Sequence, residues 1–222
     1  MKSLITLLLL FCSLAEAKKL KVAIIDTGAP KEKLECYEAY NFTESKTVDD
    51  YNGHGSNIAA LIAENAGKDT HCPIYMKYYD VVKPEDNLKN TLNALRTAIL
   101  IDVDVIVYAA GGEDHSKEET ELIKKALDKK IVIIVAAGNI NRDLGKSCSY
   151  YPACSDPRVI VVGCKNSKGE KCSFSNYGTR IDLWDQGENI KAGGYDKTGT
   201  SQSTAIIAGK FIKFLHKIGG IK

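Results

Sequence analysis

The sequence predicts an α/β protein, a three-layer α/β/α sandwich with a mainly parallel central sheet. Two observations carry this. Short runs such as LKVAIID (20–26), DVIVYAA (104–110) and IVIIVAAG (131–138) are apolar throughout rather than alternating, the pattern of strands covered on both faces. Between them lie longer stretches with apolar residues at helical spacing, so strand and helix alternate along the chain as in layered α/β folds.

The elements follow in order. LKVAIID ends in Asp-Thr-Gly, a buried strand stopping at a polar loop. GSNIAALIAENA (55–66) is alanine-rich with apolar residues at helical spacing and reads as a helix. PIYMKYY (73–79) is the next strand, and residues 84–101 form a long helix with proline and acidic residues in its first turn. After the strand at 104–110, SKEETELIKKALDKK (116–130) has the acidic start and basic end that suit the helix dipole. The β-branched run at 131–138 follows. RVIVVGC (158–164) and CSFSNYG (172–178) read as two strand-like pieces around a turn near Gly169, with RIDLW (180–184) after them. The last element is a helix over 201–218, whose Ala205, Ile207, Ala208, Phe211, Phe214 and Leu215 form a wide apolar face. No internal repeat or linker interrupts the 222 residues, so one domain is the simplest account.

Composition bounds the function. Residues 1–17 carry Lys2, an apolar run short for a bilayer and Ala15-Glu16-Ala17 at the end, the pattern of a cleaved secretion signal; no stable membrane anchor is expected. Cys12 of the seven cysteines leaves with that signal, so Cys36, Cys72, Cys148, Cys154, Cys164 and Cys172 form an even set for an oxidising compartment, extracellular or periplasmic. The sequence does not choose among their connectivities. Short separations favour Cys164 with Cys172 and Cys148 with Cys154, which leaves Cys36 with Cys72. The histidines do not cluster with cysteines and no C-x-x-C occurs, so neither a metal nor any cofactor is assigned. A net charge of +2 with scattered lysines argues against a nucleic-acid partner.

Chemistry is sought where strands end at the carboxyl edge of a parallel sheet. Asp26, His54 within NGHGS, and the glycine-flanked Ser201 all stand at such strand ends or helix starts. A carboxylate can orient an imidazole that takes a serine proton, making the hydroxyl a nucleophile. Taken singly, each has a plainer reading, as turn, loop or cap residue.

Together the strings AIIDTG, NGHGSNIAALIA, VAAGN and GTSQSTAIIAG resemble, in order and spacing, the four signature segments of the subtilisin-like serine proteases, the subtilases. The resemblance implies a subtilisin-like fold and a secreted serine endopeptidase, with 18–222 a single catalytic domain. It implies Asp26 as orienter, His54 as general base and acid, Ser201 as nucleophile and Asn139 as oxyanion-hole donor. Ala109, Ala110 and Gly111 fall on the segment that pairs with the substrate main chain and walls the S1 pocket, where the family's usual Ser-Leu-Gly is altered. A peptide or protein is the implied substrate, and a protein inhibitor a second class of partner. Ser201 at a helix start lies beside free backbone N–H groups and the positive dipole end, which suits an oxyanion.

The departures are specific. Gln202-Ser203-Thr204-Ala205 replaces the family's Met-Ala-x-Pro, and Asn57 stands where a second histidine is common. Few residues separate Ala17 from the first strand, so the usual folding prosegment is not expected, and disulfides would supply part of the stability, so that folding needs oxidation. Glu113 and Asp114 follow the S1 wall, where the kexin-like branch is also acidic. A basic P1 preference and a solvated acidic loop are both open there, the loop being the plainer reading. Two rivals remain: a noncatalytic, subtilase-shaped binding protein, and an aspartic protease using the Asp26-Thr27-Gly28 loop, a fold that is all-β and needs a second such loop.

Overall fold

The computed structural model describes residues 18–220. The secretion signal expected at 1–17 lies outside them. The first strand, β1 (Leu20–Asp26), is followed by a short β2 (Glu38–Asn41), α1 (His54–Ala66), β3 (His71–Lys77) and α2 (Asn87–Leu100), which is entered through a 3₁₀ turn at Pro84–Asp86. Then come β4 (Val105–Tyr108), α3 (Lys117–Asp128), β5 (Val132–Ala136), β6 (Ile160–Lys165), β7 (Leu183–Gln186), a hairpin of β8 (Ile190–Ala192) and β9 (Tyr195–Lys197), and α4 (Thr200–Lys217).

Seven strands form one sheet in the order β2-β3-β1-β4-β5-β6-β7, and every neighbouring pair is parallel. The unbroken apolar runs have the expected cause. Successive side chains of a strand point to opposite faces: Val22 and Ile24 face α1 and α4 in one core, while Ala23 and Ile25 face α2 and α3 in the other. Alternation has no place in strands that are dry on both sides. The three-layer α/β/α architecture follows.

All three disulfides join the pairs that short separation and elimination favoured, Cys36–Cys72, Cys148–Cys154 and Cys164–Cys172. One expected strand is absent. Residues 172–178 form turns instead, because their polar groups bind backbone elsewhere and compete with a ladder. Cys172 N donates to Cys164 O (2.8 Å), and the Ser175 hydroxyl accepts from Cys164 N (3.0 Å). The Asn176 side chain accepts from Arg142 N (2.8 Å) and donates to Ala137 O (2.8 Å). This segment therefore braces the loop 137–142 from behind. The β8–β9 hairpin was not anticipated; its turn is Gly193-Gly194, both at positive φ (58° and 82°), the conformation a two-residue hairpin needs.

Candidate active site

The carboxyl ends of β1, β4 and β5 and the N-termini of α1 and α4 bring the sequence-derived residues to one edge of the sheet. Asp26 is the last residue of β1, and its carboxylate is 3% exposed. Its Oδ1 accepts from Thr27 N at 2.7 Å and lies 2.7 Å from Nδ1 of His54. Its Oδ2 is buried and has no hydrogen-bond partner among the described residues. The carboxylate thus meets an imidazole rather than a second carboxylate, and it stands in a parallel sheet between helical layers. Both findings are incompatible with the aspartic-protease arrangement.

His54 opens α1, with Gly53 before it in the left-handed region (φ 83°). Burial presses the imidazole pKa down, but the charge and hydrogen bond of Asp26 outweigh it and leave the net value raised; the Lys197 cation works against them and Asp50 with them. Asp50 holds this helix start together. Its Oδ1 accepts from Gly53 N (2.9 Å) and Thr27 Oγ1 (2.9 Å), and its Oδ2 from Ser56 N (2.7 Å). Burial pushes the Asp50 pKa up, and the hydrogen bonds from Ser56, Gly53 and Thr27 override it and leave the group below its ordinary value. Thr27 Oγ1 also accepts from Gly55 N (2.9 Å), which ties the Asp26 loop to the helix that carries His54. Asp50 and Thr27 were not singled out from sequence; an aspartate three residues before the glycine that starts a helix was the available signal.

Ser201 is the second residue of α4 and is 9% exposed. Its backbone N–H lies in the first helical turn, where the helix supplies no acceptor. The hydroxyl donates to the Ala109 carbonyl at 2.6 Å rather than to His54, so the expected carboxylate–imidazole–hydroxyl row is made at its first link and open at its second. The physical reason is local. The short side chain has staggered positions to choose from, and a strong acceptor at the end of β4 lies within reach of one of them. Asn139 is exposed after β5; its Oδ1 accepts from Thr200 N and Thr200 Oγ1, both 2.9 Å, which leaves Nδ2 uncommitted among the described residues. Ala109, Ala110 and Gly111 extend from β4, and Ala109 is joined to the nucleophile candidate through its carbonyl. Glu113 is engaged by Arg142 in a partly exposed ion pair.

The two departures at 57 and 202 prove to be one feature. Asn57 is fully buried, its Oδ1 accepting from Gln202 Nε2 (3.0 Å) and its Nδ2 lying 3.1, 3.3 and 3.4 Å from the carbonyls of Ala192, Tyr195 and Ile190. One amide therefore ties α1 and α4 to the β8–β9 hairpin. The hairpin in turn lays the Tyr195 ring on Gly53, and Lys197 Nζ lies 3.4 Å from Asn52 O. A cavity of about 400 Å³, lined by Thr27, Ser45, Tyr51, Asn52, Tyr79 and Val82 among others, lies between the loops that follow β2 and β3. The described residues contain no group of three or more metal-ligating side chains and no helix long and apolar enough to cross a membrane.

The subtilase family model, Peptidase_S8, matches residues 17–220. The major intracellular serine protease of Bacillus subtilis (strain 168) is 30% identical over 216 residues, 87% of this chain and 67% of that protein. Subtilisin E of the same organism is 31% identical over 216 residues, 89% of this chain and 55% of its own. Minor extracellular protease Epr, also of Bacillus subtilis, is 29% identical over 211 residues, 87% of this chain and 32% of its own. The chain thus spans only part of the length of these relatives. Among solved structures, a cold adapted subtilisin-like serine proteinase superposes with a TM-score of 0.76 at 23% identity, covering 93% of this chain and 79% of that one. A lanthipeptide protease gives 0.77 at 18% identity, covering 90% and 73%. At such identities these two matches speak to the fold; the family match and the Bacillus relatives go further, and the chain belongs to the subtilase family of serine endopeptidases.

Proposed function

We propose that the protein is a secreted serine endopeptidase in which Asp26, His54, Ser201 and Asn139 carry the reaction. The observation that carries this reading is the 2.7 Å contact of Asp26 with His54 at the same sheet edge as a helix-start serine and an uncommitted asparagine amide. On substrate binding the Ser201 hydroxyl leaves Ala109 O for the imidazole; catalytic hydrogen bonds commonly tighten only once substrate is bound. Ser201 Oγ then attacks the peptide carbonyl carbon while His54 takes its proton, and the negative oxygen is met by the Ser201 N–H and Asn139 Nδ2. Asp26 stabilises the imidazolium, which passes the proton to the leaving amine as the C–N bond breaks. Water, activated by the same imidazole, releases the acyl group. Three disulfides support an oxidising, extracellular setting, and the relatives include both an extracellular and an intracellular protease. Residues 18–222 act as the catalytic unit, with peptide or protein as substrate.

A second reading has one specific observation behind it: the serine hydroxyl is occupied by Ala109 O, as it would be in a subtilase-shaped binding protein without turnover. Diisopropyl fluorophosphate separates the two. Labelling mapped to Ser201 in the wild type and lost in Ser201→Ala, together with peptide turnover, supports the endopeptidase; a folded wild type that takes no label supports the binding protein.

A further inference from the structure

We propose that the Tyr150 ring fills the crevice that would receive the side chain of the substrate residue whose carbonyl is attacked, P1, and so restricts cleavage to bonds after small residues. The inference deepens the endopeptidase reading and depends on it. A substrate carbonyl held by Asn139 Nδ2 and the Ser201 N–H, on a chain laid along Ala109–Gly111, points its P1 side chain into the gap between Gly111 and Gly138. That gap is occupied. A β-carbon placed on Gly111 would lie 2.7 Å from Tyr150 Cε1, and one placed on Gly138 would lie 2.6 Å from the same ring atom. One edge of one ring therefore touches both walls, and glycine at 111 and 138 is what lets it in.

The ring is held there by its loop. Residues 148–154 are closed by the Cys148–Cys154 disulfide, and Cys154 N donates to Tyr150 O at 2.9 Å. The next residue, Tyr151, exchanges two backbone hydrogen bonds with Gly112, 2.8 and 2.7 Å, which fastens the loop to the wall segment itself. Tyr150 also packs against the core shared by α2 and α3. The cavity of about 400 Å³ shares none of these residues, so it does not replace the filled gap. Glycine, alanine and serine make the smallest demand for room beside the ring. Leucine, phenylalanine or lysine would have to expel it, and even a single methylene against a pocket wall is worth about 10–200-fold in discrimination.

The test is a peptide series identical except at P1 (Ala, Leu, Phe, Lys), with kcat/KM measured for wild type, Tyr150→Ala and Tyr150→Phe. The expected wild-type ratio of Ala to Phe is at least about tenfold, retained in Tyr150→Phe and falling by at least about tenfold in Tyr150→Ala. A wild type that cleaves after Phe as fast as after Ala overturns the proposal, as does an unchanged ratio in a folded Tyr150→Ala. If Tyr150→Ala does not fold, the wild-type ratio decides alone. If no peptide is turned over, the endopeptidase reading fails separately, and anisotropy with fluorescent peptides on Ser201→Ala decides: preference for the Ala peptide supports the filled crevice, and equal binding overturns it.

Discussion

Replacing Asn57 by alanine tests whether the buried amide that joins α1, α4 and the β8–β9 hairpin is a working clamp. An asparagine amide has two N–H donors, so its Nδ2 serves at most two of the three carbonyls at 3.1, 3.3 and 3.4 Å at one time; Ala192 O, the nearest, belongs to a residue only 7% exposed. Ala192 O also accepts from Tyr195 N across the two-residue turn, where the two residues are register partners, so the group the substitution strands is the Nε2 of Gln202, which is 1% exposed. At about 1–3 kcal/mol for a buried polar group left without a partner, the loss is about 1–3 kcal/mol, a measurable share of a domain's total stability. Urea unfolding of the disulfide-intact protein at neutral pH measures it. The sharper observable is a double-mutant cycle with Gln202→Leu, which removes the stranded group. Asn57→Ala should then cost less in the Gln202→Leu background than in the wild type, by about 1–2 kcal/mol, within the span seen for contacting pairs. Additivity within about 0.5 kcal/mol would show that the 3.0 Å contact between them carries no coupling, and the clamp would be wrong.

Two further predictions concern charge at the site. Asp50 is held below its ordinary pKa in the fold, so it contributes stability that is present above the unfolded value, about 3.9, and lost as pH falls through the folded value; Asp50→Asn should be less stable than wild type at pH 6 by about 1–3 kcal/mol, with the gap narrowing in urea titrations toward pH 2, and a gap that is constant with pH would contradict this. Lys197 pushes the His54 pKa down, so Lys197→Gln should raise it and move the acid limb of the kcat/KM profile to higher pH, more so at low salt, since the base must be neutral to take the serine proton; an unmoved limb or an acid shift would contradict that.

The legible parts of this molecule were those whose determinants are local. β1, β4 and β5 announced themselves because a strand dry on both faces is apolar at every position, and α3 because Ser116 caps it, accepting from Glu119 N at 3.2 Å, ahead of an acidic turn. Local disulfides follow from short loops. β2 and the β8–β9 hairpin were missed because strands of three or four residues are too short to show periodicity, and only Gly193-Gly194 marked the turn. Residues 172–178 looked strand-like by side-chain type, yet the Ser175 hydroxyl accepts from Cys164 N and the Asn176 side chain finds backbone partners at Ala137 and Arg142, which no local pattern discloses. At the site, the strings located Asp26, His54, Asn139 and Ser201 along the chain. They could not give the rotamer of Ser201, nor reveal that Asn57 and Gln202, 145 residues apart, bond to each other.

On the proposed endopeptidase reading, the sheet would also sort the two halves of a bound peptide. Ala110 and Tyr150 pack against the core shared by α2 and α3, whereas the β8–β9 hairpin lies against α1 on the opposite face. On that face, beside His54, Tyr195 covers Gly53 and Lys197 Nζ lies 3.4 Å from Asn52 O. On the endopeptidase reading, residues before the scissile bond would meet a disulfide-closed loop and those after it a hairpin held by one buried amide. The two are fixed by different means. Reducing Cys148–Cys154 should loosen the first and leave the second, while Asn57→Ala should do the reverse, because no hydrogen bond or disulfide described here connects the loop 148–154 to the hairpin 190–197.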